Sequence, residues 1–106
     1  MEAKKPALNV AVSEDQVAAW KKKYDGVFVA RTADGKVGYL RRPDRKILAL
    51  AAVEGGRDNL KQKEIIINNC WLGGDEALKI QDKYFLVLAA VVDRMIEVVE
   101  LTLEEA

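Results

Sequence analysis

Histidine is absent from this 106-residue chain, and cysteine occurs once, at Cys70. The first absence removes the commonest general base and the commonest metal ligand. The second rules out an internal disulfide and any multi-cysteine zinc site. Proline occurs twice, aromatic residues make up 7% of the chain, and the 17 basic residues balance the 17 acidic ones. The longest apolar run, Tyr84 to Val92, ends at Asp93 and Arg94, well short of the roughly 20 residues that a membrane span needs. Neither a signal-peptide pattern nor a membrane helix is therefore expected, and the lone thiol suits a reducing compartment such as the cytoplasm.

What is present reads as globular. Half of the residues are hydrophobic and 32% are charged, a balance that disordered chains do not have. The length fits one small domain. Residues 1–12 read as an N-terminal arm, in which the alternation of Leu8, Val10 and Val12 permits a short edge strand. Residues 13–106 read as a single domain.

Ser13-Glu14-Asp15-Gln16 is a capping box. The helix it opens places Val17, Trp20 and Tyr24 on one face and closes at Asp25-Gly26. Two strand-like runs, Val27–Ala33 and Lys36–Arg42, flank Asp34-Gly35, the signature of a two-residue type I′ turn. That register sets Val29 opposite Leu40 and Ala30 opposite Tyr39. One face would then carry Phe28, Ala30, Val37 and Tyr39, and the other Val27, Val29 and Leu40. Apolar residues on both faces call for helices, a further strand or a partner.

Pro43 suits the first position of a second helix, with Asp44 beside it and a buried stripe of Ile47, Leu48, Ala51 and Ala52. Gly55-Gly56 ends it. Asp58 or Asn59 caps a third helix that runs through Ile65–Ile67, Cys70, Trp71 and Leu72. The three isoleucines have high strand propensity, so a strand there is the alternative. Gly73-Gly74 breaks the chain as a helix end followed by a new cap, and Asp75–Leu78 opens a short helical turn. Asp82 is placed to cap the longest helix, Lys83 to Leu103. Its first half is apolar nearly all round and so wants burial on every side. The fold class is α+β: a β-hairpin packed with three to four α-helices, ending in a long C-terminal helix.

Charge is unevenly spread. From Trp20 to Lys46 there are nine basic and three acidic residues, whereas from Asp93 to Ala106 there are five acids and one arginine. Lys21, Lys22, Lys23, Arg41, Arg42, Arg45 and Lys46 form the one candidate basic patch. Its simplest reading is a solvated face balanced by the acidic end of the chain, so nucleic acid is not the expected partner. Cys70 lies among apolar neighbours with no base available, as a buried structural thiol does. Carboxylate pairs stand only at helix ends, so no enzyme activity, metal or cofactor is expected. Trp71 is the residue type most enriched at binding hot spots, and it stands beside Asn68, Asn69 and the double glycine.

The order of elements resembles the small tail assembly chaperones of tailed bacteriophages and prophages. The similarity runs from about Val17 to Val99. It rests on the capped first helix, the strand pair ending in Arg41-Arg42-Pro43, the amphipathic helix that follows at once, and the segment Ile67 to Asp75 before a final long helix. The Trp71–Asp75 segment departs from that group's pattern. The resemblance implies a non-catalytic protein that holds a long helical tape-measure protein in solution while the tail tube assembles. Trp71, Leu72, Tyr84, Leu88, Val91 and Met95 are the candidate partner-binding residues. A nucleic-acid-associated module using residues 21–46 is one alternative. A self-associating structural subunit, with the long helix as its interface, is another.

Overall fold

The computed structural model describes residues 12–96 and 102–106. Among them, five helices and three strands follow the order α1 (Glu14–Lys23), β1 (Val27–Arg31), β2 (Val37–Arg41), α2 (Arg45–Gly55), α3 (Asn59–Cys70), β3 (Trp71–Gly74), α4 (Ala77–Ile80) and α5 (Asp82–Ile96). The α+β class and the hairpin stand as expected. The edge strand suggested around Leu8 and Val10 falls outside the described residues, and Val12 is not in a strand.

The helix starts follow their caps. Gln16 N–H donates to Ser13 Oγ, Ile47 N–H to Asp44 Oδ1, and Lys61 N–H to Asp58 Oδ1. Each bond satisfies an amide that the first helical turn leaves orphaned. Asp44, rather than Pro43, marks the start of α2; Pro43 precedes the cap and is buried. On α2 the buried positions are Ile47, Ala51 and Gly55, with Leu48 half-buried and Ala52 exposed. Ile65, Ile66 and Ile67 are helical, because their side chains lie in the core on a helix closed by Asp58 at its start and by Trp71 N–H bonding Ile67 O at its end.

The hairpin differs from expectation by one residue. Observed pairs are Phe28 with Leu40, Val29 with Tyr39 and Ala30 with Gly38. The loop has three residues, Ala33-Asp34-Gly35. Thr32 N–H donates to Lys36 O at 2.9 Å, Gly35 N–H to Thr32 O at 3.1 Å, and Lys36 N–H to Thr32 Oγ1 at 2.9 Å. The positive φ of +93° falls on Gly35, as in a type I turn closed by a glycine bulge. A slip of one residue exchanges the faces of a strand. Phe28, Ala30, Gly38 and Leu40 therefore share the inner face, and Val29, Val37 and Tyr39 the outer one.

A third strand replaces the expected helix end. Trp71 and Leu72 leave α3 with no intervening loop, and β3 pairs antiparallel with β2 through Gly38–Gly74, Tyr39–Gly73 and Leu40–Trp71. Leu72 is the extra residue of a bulge between the last two pairs. Gly74 is needed for the contact itself. Gly74 has φ +121°, and a Cβ there would stand 2.5 Å from Val37 O and 2.8 Å from Gly38 Cα.

The sheet order β1-β2-β3 separates two layers. On the outer face Trp20 of α1 lies 5.7 Å from the Tyr39 ring. On the inner face Leu40, Ile67, Cys70 and Val92 are nearly inaccessible to solvent, and Ile66, Leu88, Ala89 and Met95 complete the core. α3 and α5 pack against each other beneath the sheet, and α2 forms an antiparallel pair with α3. The expected cover around α5 is one-sided: Leu86 and Val87 are exposed while Leu88, Ala89, Val92 and Met95 are buried. Helix α5 begins at Asp82 itself, with Gln81 O accepting from Phe85 N–H. Leu103, expected within this helix, lies outside it in segment 102–106, which is exposed and not helical; Val98 and Val99 fall outside the described residues.

Replacing Gly74 with alanine forces a backbone shift in β2 and a strained φ. Such strain and overpacking cost about 1–3 kcal/mol. A urea midpoint lowered accordingly, with an unchanged slope, is the expected outcome; Gly35→Ala, which meets open space, bears only the φ cost.

Candidate partner-binding groove

An apolar groove of about 380 Å³ runs between β1 and α5. Its floor is Leu40, Leu88 and Met95, and its rims are Phe28 and Ala30 on the strand and Val87 and Val91 on the helix. Side chains at positions 84, 87, 88, 91 and 95 line it because those spacings recur on one helical face. Val87 is 64% exposed, so the helical rim presents a branched apolar group to solvent.

One end of the groove is closed by a polar clamp. Tyr84 Oη donates to Asp34 Oδ2 at 2.5 Å, tying the hairpin tip to the first turn of α5. Thr32 Oγ1 also donates to Asp34, and Lys36 Nζ lies 3.6 Å from Asp75 and 5.6 Å from the centre of the Tyr84 ring. The Thr32 hydroxyl first, then that of Tyr84, holds the Asp34 carboxyl below its ordinary 3.8. The same bond to Asp34 raises the Tyr84 phenol above its ordinary 10.0. Exposed Arg31 lies towards this clamped end, and exposed Arg94 lies at the other.

Of the six expected binding residues, Tyr84, Leu88, Val91 and Met95 line the groove. Leu88 and Met95 are each only 5% exposed, so they support it from below rather than offer contact. Trp71 and Leu72 lie on β3, separated from β1 by the central strand. Trp71 is also committed to its own surroundings. Its Nε1–H donates to Glu76 Oε2 at 3.1 Å, Lys79 Nζ stands 5.0 Å from its ring centre, and its ring closes over Gly38. Val87, on the same face of α5, is the more accessible contact. Its neighbours on the far side of α5 are what decide this, and periodicity alone does not name them.

Part of the basic patch gathers around Tyr24. Tyr24 carries Lys23 Nζ at 5.4 Å and the Arg41 guanidinium at 4.8 Å from its ring centre. The two arginines are already paired, Arg41 with Asp44 at 2.9 Å and Arg42 with Asp25 at 3.0 Å. Asp44 is held below its ordinary range chiefly by the Ile47 amide that it caps, then by Arg41. Lys21, Lys22, Arg45 and Lys46 are exposed. Cys70 is fully buried, and loss of hydration pushes its thiol up to about 11.

The chain was compared with known families, curated proteins and solved structures. Nothing matches in any of the three. The described residues hold no group of three or more metal-ligating side chains, and no helix among them is long and apolar enough to cross a membrane.

Two outcomes follow from these environments. A depressed carboxyl stabilises the fold fully above its unfolded value and less as pH falls through the folded one. The Asp34 contribution is therefore present above 3.8 and lost below it; the raised Tyr84 contributes below 10.0 and is lost above it. In Tyr84→Phe, the Asp34 carboxyl carbon followed by NMR should titrate closer to 3.8. Separately, a disulfide reagent at pH 8 should label Cys70 slowly in the native protein and at once in 6 M guanidinium, since only the thiolate attacks.

Proposed function

We propose that this chain is a non-catalytic assembly chaperone of the tailed-phage or prophage tail type. It holds an amphipathic helical segment of a tape-measure-like protein against the β1–α5 groove. The reading is supported by the Arg41-Arg42-Pro43 passage from strand to helix, which carries the resemblance, and by the exposed apolar rim of the groove. An amphipathic helix presents apolar groups at helical spacing, and a groove with apolar walls takes them in place of water. Burying Val87 recovers hydrophobic free energy of about 25 cal/mol per Å² of apolar area, less the cost of ordering the partner.

A nucleic-acid reading draws on the cations gathered around Tyr24. It is weakened by Asp25 and Asp44, whose carboxylates already occupy the two guanidiniums. Phosphate binding there would have to displace both.

The experiment is affinity capture by the tagged chain from its host after prophage induction, washed at two salt concentrations. A long, heptad-patterned phage protein retained at high salt is the expected result. Val87→Asp should abolish that retention without moving the thermal midpoint, because the site is exposed. Recovery of nucleic acid alone, lost at higher salt, would overturn the reading.

A further inference from the structure

β1 is an edge strand among the described residues. Its hydrogen-bonding phase is set at both ends: Arg42 N–H bonds Gly26 O, and Thr32 N–H bonds Lys36 O. In an antiparallel ladder these pairs alternate along the strand. Phe28 and Ala30 therefore bond inward to β2, while the amides and carbonyls of Val27, Val29 and Arg31 point away from it. An open edge of this kind is a template for a further strand.

Segment 102–106, Thr-Leu-Glu-Glu-Ala, has the matching character. It is exposed and non-helical, Leu103 is 89% exposed, and its two charges are both acidic. The groove from Tyr84 to Arg94 is about 15 Å long at 1.5 Å per helical residue. Five extended residues span about 17 Å.

We propose that segment 102–106 of a second copy of this chain adds to the β1 edge as an antiparallel strand and lays Leu103 in the β1–α5 groove. Arg31 then pairs with Thr102, Val29 with Glu104 and Val27 with Ala106. In this register Leu103 and Glu105 fall on the α5 side. Leu103 meets Val87 and Val91, and Glu105 reaches Arg94. Glu104 lies on the opposite side, diagonal to Arg31. Each copy gives a segment and receives another, so association either closes as a reciprocal pair or continues into rings and longer chains. This goes beyond the chaperone reading and is measured in the purified protein with no partner present.

Sedimentation equilibrium over a micromolar range should give a mass that rises with concentration above that of one chain. Leu103→Asp, at an exposed site, should return it to one chain. Glu105→Lys should weaken association by about tenfold, and Arg94→Glu should restore it in that background. Hydrogen exchange of the Val29 and Arg31 amides should slow in step with the mass. A single-chain mass at every concentration overturns the proposal, including the case in which those amides are protected within one chain. Association that survives Leu103→Asp, or that leaves the Val29 amide exchanging as fast as in the monomer, also overturns it.

Discussion

The fold depends on bringing Leu40 of the central strand onto Ile67, Cys70 and Val92. These four side chains come from a strand and two helices far apart in sequence, and each is 1% exposed or less. Full burial of one such side chain is worth roughly 1.5–3 kcal/mol. The rest of the arrangement follows from the geometry this cluster imposes. Leu40 must lie on the inner face, so the hairpin takes the register that puts Phe28 and Ala30 there too. α3 must lie beneath β2, and its continuation then emerges at the sheet edge, where it pairs as β3. Helix α5 closes the cluster from below and leaves its far side uncovered.

Local signals in the chain were legible where the physics is local. Ser13 and Asp58 cap their helices because a short polar side chain reaches a free amide a turn away, and that geometry needs no distant partner. The strand–turn–strand order, the Gly55-Gly56 stop and the buried character of Cys70 belong to the same class. The hairpin register was not legible. Asp34-Gly35 fits a two-residue loop, and the three-residue loop wins only when Thr32 closes it and Leu40 is drawn to the core.

β3 was hidden for a related reason. Trp71-Leu72-Gly73-Gly74 is four residues long and half glycine, a residue depleted in strands. It is a strand because Gly74 lets its backbone come close to that of Val37 and Gly38, while Gly38 leaves room for the Trp71 ring. The candidate site was legible in part. Spacing along α5 places Tyr84, Leu88, Val91 and Met95 on one face, but which of them is floor and which is rim depends on how far β1 overhangs. Trp71 drew attention as an aromatic beside glycines, and its neighbours Glu76 and Lys79 show it in a supporting role.

The two tryptophans stand on opposite faces of one thin sheet, Trp20 beside Tyr39 and Trp71 over Gly38. Each indole therefore samples a different layer of the molecule. Emission from Trp20 follows the seating of α1, and emission from Trp71 follows the junction of α3 with the sheet. With one indole replaced at a time, the chain becomes its own pair of optical reporters, able to tell whether the two layers come apart together or in turn.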